Sequence, residues 1–98
     1  MNNHATEGPL TWFRIFVEDV GDREQLVDMV SDVLLSAHVS YGRGVWQGGR
    51  ENDAVVEVYG PERLRGTVVT LATELKAAFQ QEAVGVAEHN DRVNFYLV

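Results

Sequence analysis

Cysteine is absent from this chain of 98 residues, which excludes a disulfide framework, a thiolate nucleophile and a zinc ribbon alike. The fold must therefore stand on packing alone. Cations are scarce: Lys and Arg number 8 against 15 Asp and Glu, for a net charge of −7 and a pI near 4.7. That balance argues against direct nucleic-acid binding, which needs basic side chains for phosphate contacts. No apolar run approaches the ~18 residues of a membrane-spanning helix, and Met1-Asn2-Asn3-His4 does not open a basic and then apolar leader. The expectation is a cytoplasmic protein. Proline occurs twice, in Gly8-Pro9 and Gly60-Pro61, and both dipeptides read as boundaries.

Chemical motifs are missing too. His4, His38 and His89 share no ligand spacing, so no metal is expected. Ser31, Ser36 and Ser40 sit in no Gly-x-Ser-x-Gly elbow. Gly42, Gly44, Gly48 and Gly49 form a glycine-rich stretch without the Gly-Lys-Ser/Thr ending of a phosphate loop or a following helix. The sequence therefore implies no cofactor and no catalytic constellation.

What is present is patterning. A loose arm over 1–10 is expected to precede a domain over 11–98. From Thr11 to Glu18, Phe13, Ile15 and Val17 alternate with Trp12, Arg14, Phe16 and Glu18, the period of a strand wanting neighbours on both faces, hence a central one. Gly21 permits a turn, and Asp22 with Gln25 three residues on is a variant capping box for a helix starting at Arg23. Leu26, Met29, Val30, Val33 and Ala37, widened by Val27 and Leu34, make its apolar stripe and carry it to about residues 36–38. Residues 39–52 read as a bent edge strand and a turn at Gly48-Gly49, with the polar run Arg50 to Asp53 in the loop. Ala54 to Tyr59 alternates as a strand. Pro61 suits the first position of a second helix, whose stripe is Leu64, Val68, Leu71, Ala72, Leu75, Ala78 and Phe79. Gly66 within it could let the helix approach the sheet closely. Residues 83–88 and 93–98 read as two strands joined by the turn-prone His89-Asn90-Asp91.

The order strand, helix, strand, strand, helix, strand, strand resembles the βαββαβ pattern of a ferredoxin-like sandwich with an extra C-terminal strand. It implies an α+β domain with an antiparallel sheet and both helices on one face. The resemblance is one of architecture, which by itself carries no function.

Two surfaces follow from that architecture. If the helices cover Phe13, Ile15, Val17, Val56, Val58, Phe95 and Leu97, then Trp12, Phe16, Tyr59, Tyr96 and Trp46 form an uncovered aromatic face, for which a second copy of the chain is the expected occupant. Residues 18–32 carry Glu18, Asp19, Asp22, Glu24, Asp28 and Asp32 against Arg23 alone. Glu24, Asp28 and Asp32 recur every fourth residue, so a helix aligns them in one acidic stripe. The function expected from this is a non-catalytic binding module that docks Asp19, Asp22, Glu24, Asp28 and Asp32 on the basic surface of a nucleic-acid-binding protein, as phage-encoded DNA mimics do. The alternative is a small dimeric enzyme or ligand binder with a pocket between sheet and helices near Trp12, Trp46 and His89.

Overall fold

The protein is described by a computed structural model covering residues 10–18 and 20–98. All of the expected arm except Leu10, together with Asp19 and the side chain of Trp46, lies outside the described residues.

Strand β1 (Leu10–Glu18) starts at Leu10, one residue earlier than its alternation suggested, because Leu10 already pairs with Pro61. Thr11, Phe13, Ile15 and Val17 are each at most 2% exposed, so the odd positions face the core. Helix α1 (Arg23–Val33) begins as its sequence dictates, with Asp22 Oδ1 accepting the Gln25 N–H at 3.0 Å. It buries Leu26 and Val30 and stops earlier than its apolar stripe suggested. Leu34 turns to extended backbone yet stays in the core, while Val27 and Val33 are exposed rather than widening the buried stripe.

Strands β2 (His38–Trp46) and β3 (Gly49–Pro61) are joined by the two-residue turn Gln47-Gly48. Both turn residues have left-handed backbone, φ 51° and 81°, the geometry of a type I′ hairpin whose twist matches that of the strands. The polar run expected in a loop is instead part of β3, paired across to Arg43, Gly44 and Val45 through Asn52, Glu51 and Arg50. β1 reaches only as far as Asp53, so the end of this hairpin projects as a two-stranded ribbon.

Pro61 closes β3 and precedes a 3₁₀ turn (Glu62–Leu64), so the second helix, α2 (Arg65–Ala78), starts four residues later than expected. Val68, Leu71, Ala72 and Leu75 are fully buried, Phe79 is half-buried, and Ala78 is exposed. Gly66 faces open space and makes no close approach to the sheet. Strands β4 (Gly85–His89) and β5 (Val93–Leu97) complete an antiparallel sheet of order β2-β3-β1-β4-β5, with β1 at its centre.

One face of the sheet packs against both helices around Phe13, Ile15, Val56, Leu26, Leu71 and Leu75. Burying a side chain of this size contributes roughly 1.5–3 kcal/mol. The fold is ferredoxin-like, α+β, with an additional C-terminal strand. The orientation of β5 is the reverse of that expected. Tyr96 pairs with Val86 and so points to the helix side, whereas Phe95 and Leu97 stand on the open face, 60% and 57% exposed.

Candidate site on the open sheet face

The open face is electrically divided along β1. At one end Trp12 stacks on its cross-strand partner Tyr59, with ring centroids 5.6 Å apart and planes 6° from parallel. Its other neighbour, His89, lies 5.1 Å away. The Arg14 guanidinium sits 4.6 Å above the Trp12 ring and 5.4 Å from Phe16, and its Nη2 donates to His89 Nε2 at 2.9 Å. Since arginine only donates, His89 Nε2 accepts and its ring proton is on Nδ1. Trp12 Nε1 and Arg14 Nε are buried without a hydrogen-bond partner among the described residues. Ring contacts therefore hold this stack more than hydrogen bonds do.

The other end is acidic and concave. A pocket of about 350 Å³ is walled by Phe16, Phe95, Leu97 and Val45, with Glu18, Glu51 and Asp53 beside them. Two glycines make the room. A Cβ on Gly85 would lie 2.7 Å from the Phe95 ring, and one on Gly44 would lie 2.0 Å from Asp53 Oδ2.

The carboxylates meet because of register. Glu18 and Asp53 are cross-strand partners, and Glu51, two residues from Asp53, shares their face. Like charges opposed in this way destabilise a sheet unless one takes up a proton. Glu51 does so: its hydrogen bond to Glu18 first, then desolvation and the negative charge of Glu18 and Asp53, push its carboxyl up to about 7. A group half-protonated near neutrality can give or take a proton under working conditions. Among the described residues no cluster of His, Asp and Glu is arranged to hold a metal ion.

Gln81, from the α2–β4 connection, also lines the pocket and pairs with the main chain of Glu18. On the covered face a second polar cluster is fully satisfied. Glu88 is 1% exposed and receives Arg65 Nε at 2.8 and 3.0 Å and Nη2 at 2.6 Å, with Tyr96 Oη donating at 2.5 Å. The Arg65 hydrogen bonds hold the Glu88 carboxyl below the usual carboxylate range against the opposing effect of burial. Burial and the bond to Glu88 push the Tyr96 hydroxyl up to about 12.

The residues singled out in the sequence fall into three groups. Glu24, Asp28 and Asp32 are exposed on the outer side of α1, Asp22 caps that helix, and Asp19 is outside the described residues. Trp12 and Phe16 are half-buried on the open face, and Tyr59 is 65% exposed there. Tyr96 is on the covered face, a correction that puts Phe95 in its place beside Phe16, with centroids 6.3 Å apart. The pocket expected between sheet and helices is likewise corrected. That space is filled by the core, and the cavity lies on the open face, away from Trp12 and His89. Glu51 and Asp53 were missed because they were read as loop. Their common parity with Val55, Glu57 and Tyr59 was the available signal.

No known protein family matches the chain, and no curated protein matches it in sequence. Among solved structures it is similar to a phage SAM lyase in its apo state, with a TM-score of 0.69 and 26% identity over 100% of this chain and 94% of that one. A phage SAM lyase in complex with S-methyl-5'-thioadenosine gives 0.68 and 24%, over 93% and 92%. A nitrogen regulatory PII-like protein from Thiomonas intermedia, bound to ADP, AMP and bicarbonate, gives 0.56 and 18%, over 93% of both chains. Among the described residues no helix is long and apolar enough to cross a membrane.

Proposed function

We propose that this chain binds S-adenosylmethionine, or a nucleoside sulfonium like it, in the open-face pocket and cleaves it, as the name of the similar phage SAM lyase describes for that enzyme. The observation that carries the reading is the pairing of aromatic walls, Phe16 and Phe95, with three carboxylates in one cavity. A sulfonium is a cation with apolar substituents, so it gains from ring contact and from counter-charge together. A cation beside Glu51 also favours its ionised form, so binding is expected to expel the shared proton. The pocket volume lies within the range of small-molecule sites.

The test is to incubate the purified chain with S-adenosylmethionine and follow S-methyl-5'-thioadenosine by chromatography, with calorimetric titration of S-adenosylmethionine and of the uncharged S-adenosylhomocysteine. Turnover, and tighter binding of the charged compound, are expected. Equal or undetectable binding of both would overturn the proposal. Binding without product would remove its catalytic half.

A second reading rests on the exposure of Glu24, Asp28 and Asp32 along α1: a docking stripe for a basic protein surface. Its affinity would fall steeply with salt. Replacing the three acids by Gln would abolish it and leave the pocket untouched.

A further inference from the structure

We infer that Gln81 is a positioning residue: its side-chain amide takes the place of a missing strand at the end of β1 and so fixes where the Glu18 carboxylate stands in the pocket. The β1–β4 ladder runs from Trp12↔His89 to Phe16↔Gly85 and goes no further. Beyond Phe16, β1 has β3 on one side and no strand on the other. There Gln81 Oε1 accepts the Glu18 N–H at 3.1 Å, and Gln81 Nε2 donates to the Glu18 carbonyl at 2.9 Å. These two bonds reproduce the exchange of a hydrogen-bonded antiparallel pair, made by a side chain. A third bond, Nε2 to the Phe79 carbonyl at 3.1 Å, ties the amide to the end of α2.

The turn that aims Gln81 has an identifiable cost. Gln80 has φ 54°, left-handed backbone that a non-glycine residue adopts unwillingly. The Gln80 N–H bonds to the Ala77 carbonyl at 3.4 Å and the Gln81 N–H to the Lys76 carbonyl at 2.9 Å, the paired bonds of a Schellman motif. This turn carries the chain from the end of α2 to the unpaired side of β1. Strain retained beside a site is expected where geometry, more than stability, is required there.

The groups facing Glu18 are Glu51 and Asp53 from β3 and Glu82 from the α2–β4 connection, and among the described residues no Lys, Arg or His lines the pocket. With Glu18 fixed, its neighbours must accommodate a charge that cannot move away. With Glu18 released, they need not. The role of this carboxylate in ligand binding rests on the function proposed above, but its placement by Gln81 does not.

The experiment is a carbon-detected NMR titration of the carboxyl groups in the full chain without ligand, for the parent, Gln81→Leu and Gln80→Gly. In the parent Glu51 should titrate near the value of about 7 that its neighbours impose. In Gln81→Leu it should move toward the ordinary 4.5, and in Gln80→Gly, which relieves the turn but keeps the amide, it should stay. An unmoved Glu51 in a folded Gln81→Leu would overturn the inference. If Gln81→Leu does not fold, exchange of the Gln81 side-chain amide protons in the parent decides: protection supports the pairing, and free exchange refutes it. With S-adenosylmethionine as probe, Kd should rise in Gln81→Leu and not in Gln80→Gly. Absence of any binding, with the titration shift intact, would refute the ligand and leave Gln81 in its role.

Discussion

Replacing Arg65 by Met separates charge from packing under α2. The side chain keeps most of its length, but Glu88, 1% exposed, loses three short guanidinium contacts and retains the Tyr96 hydroxyl. Removing one partner of a fully buried ion pair costs about 3–5 kcal/mol. Because the Arg65 side chain is itself 41% exposed, solvent screens part of that interaction, and we expect about 2 kcal/mol at pH 7. For a domain of this size each kcal/mol lowers Tm by about 4–8 °C, so the loss is readily measured. Its pH dependence has a definite sign. In the parent, the depressed Glu88 carboxyl contributes stability that is present above its unfolded value of 4.5 and is lost as pH falls through the folded value. In Arg65→Met the same carboxyl is buried without its cation, so it is driven upward and the deficit shrinks as acid neutralises it. Urea unfolding of both proteins at pH 5 and pH 8 therefore should give a larger difference at pH 8. A difference independent of pH would mean that Arg65 acts through its aliphatic stem, and one below about 0.5 kcal/mol would place it among ordinary surface residues.

Leu75→Ala, at a fully buried position of α2, should cost about 2–5 kcal/mol in the same assay. Glu51→Gln should flatten the stability profile between pH 4.5 and 7. A carboxyl raised to about 7 contributes stability that is fully present below 4.5 and lost as pH rises through 7, so the variant should gain on the parent in the alkaline half of that window. A parallel profile would refute the shared proton. Gly85→Ala places a methyl 2.7 Å from the Phe95 ring, which is exposed enough to swing away, so the pocket should close with a stability change of only about 1 kcal/mol. Loss of S-adenosylmethionine binding by a folded variant is the readout. Finally, Tyr59, Val93, Phe95 and Leu97 are all more than half exposed on the open face, and sedimentation equilibrium at micromolar concentration should find self-association. A 10.9 kDa monomer throughout would leave that face to another ligand.

The legible parts of the chain were those where two signals agreed. In β1 the alternation of Phe13, Ile15 and Val17 with charged and aromatic residues fixed both its period and its central position. At α1, Asp22 and Gln25 named the cap that forms. The misread parts carried one signal or an ambiguous one. In Val93-Asn94-Phe95-Tyr96-Leu97 the single signal, alternation, points Val93, Phe95 and Leu97 at the core, yet the strand faces the other way, with Tyr96 donating to the buried Glu88 of the neighbouring strand. The glycines of β2 suggest a bend, yet Gly44 lies within a continuous ladder and gives space to Asp53. The pocket followed from neither pattern, because Glu18, Glu51 and Asp53 come together only once the β1–β3 register is set.

The central place of β1 sets the order in which the chain can fold during its own synthesis. Its two flanking strands end at Pro61 and His89, and the bond from Arg14 to His89 closes a separation of 75 residues. At roughly 5–20 residues per second, a nascent chain carries β1 for about 4–15 s before its second neighbour has even been made. Until β3 is complete at Pro61, Trp12, Phe13, Ile15, Phe16 and Val17 have no sheet to enter, and a strand of this composition is a target for pairing between chains. Glu18 closes the strand, and five more acids, Asp19, Asp22, Glu24, Asp28 and Asp32, are translated directly after it. Like charge on neighbouring nascent chains opposes such pairing until β3 arrives.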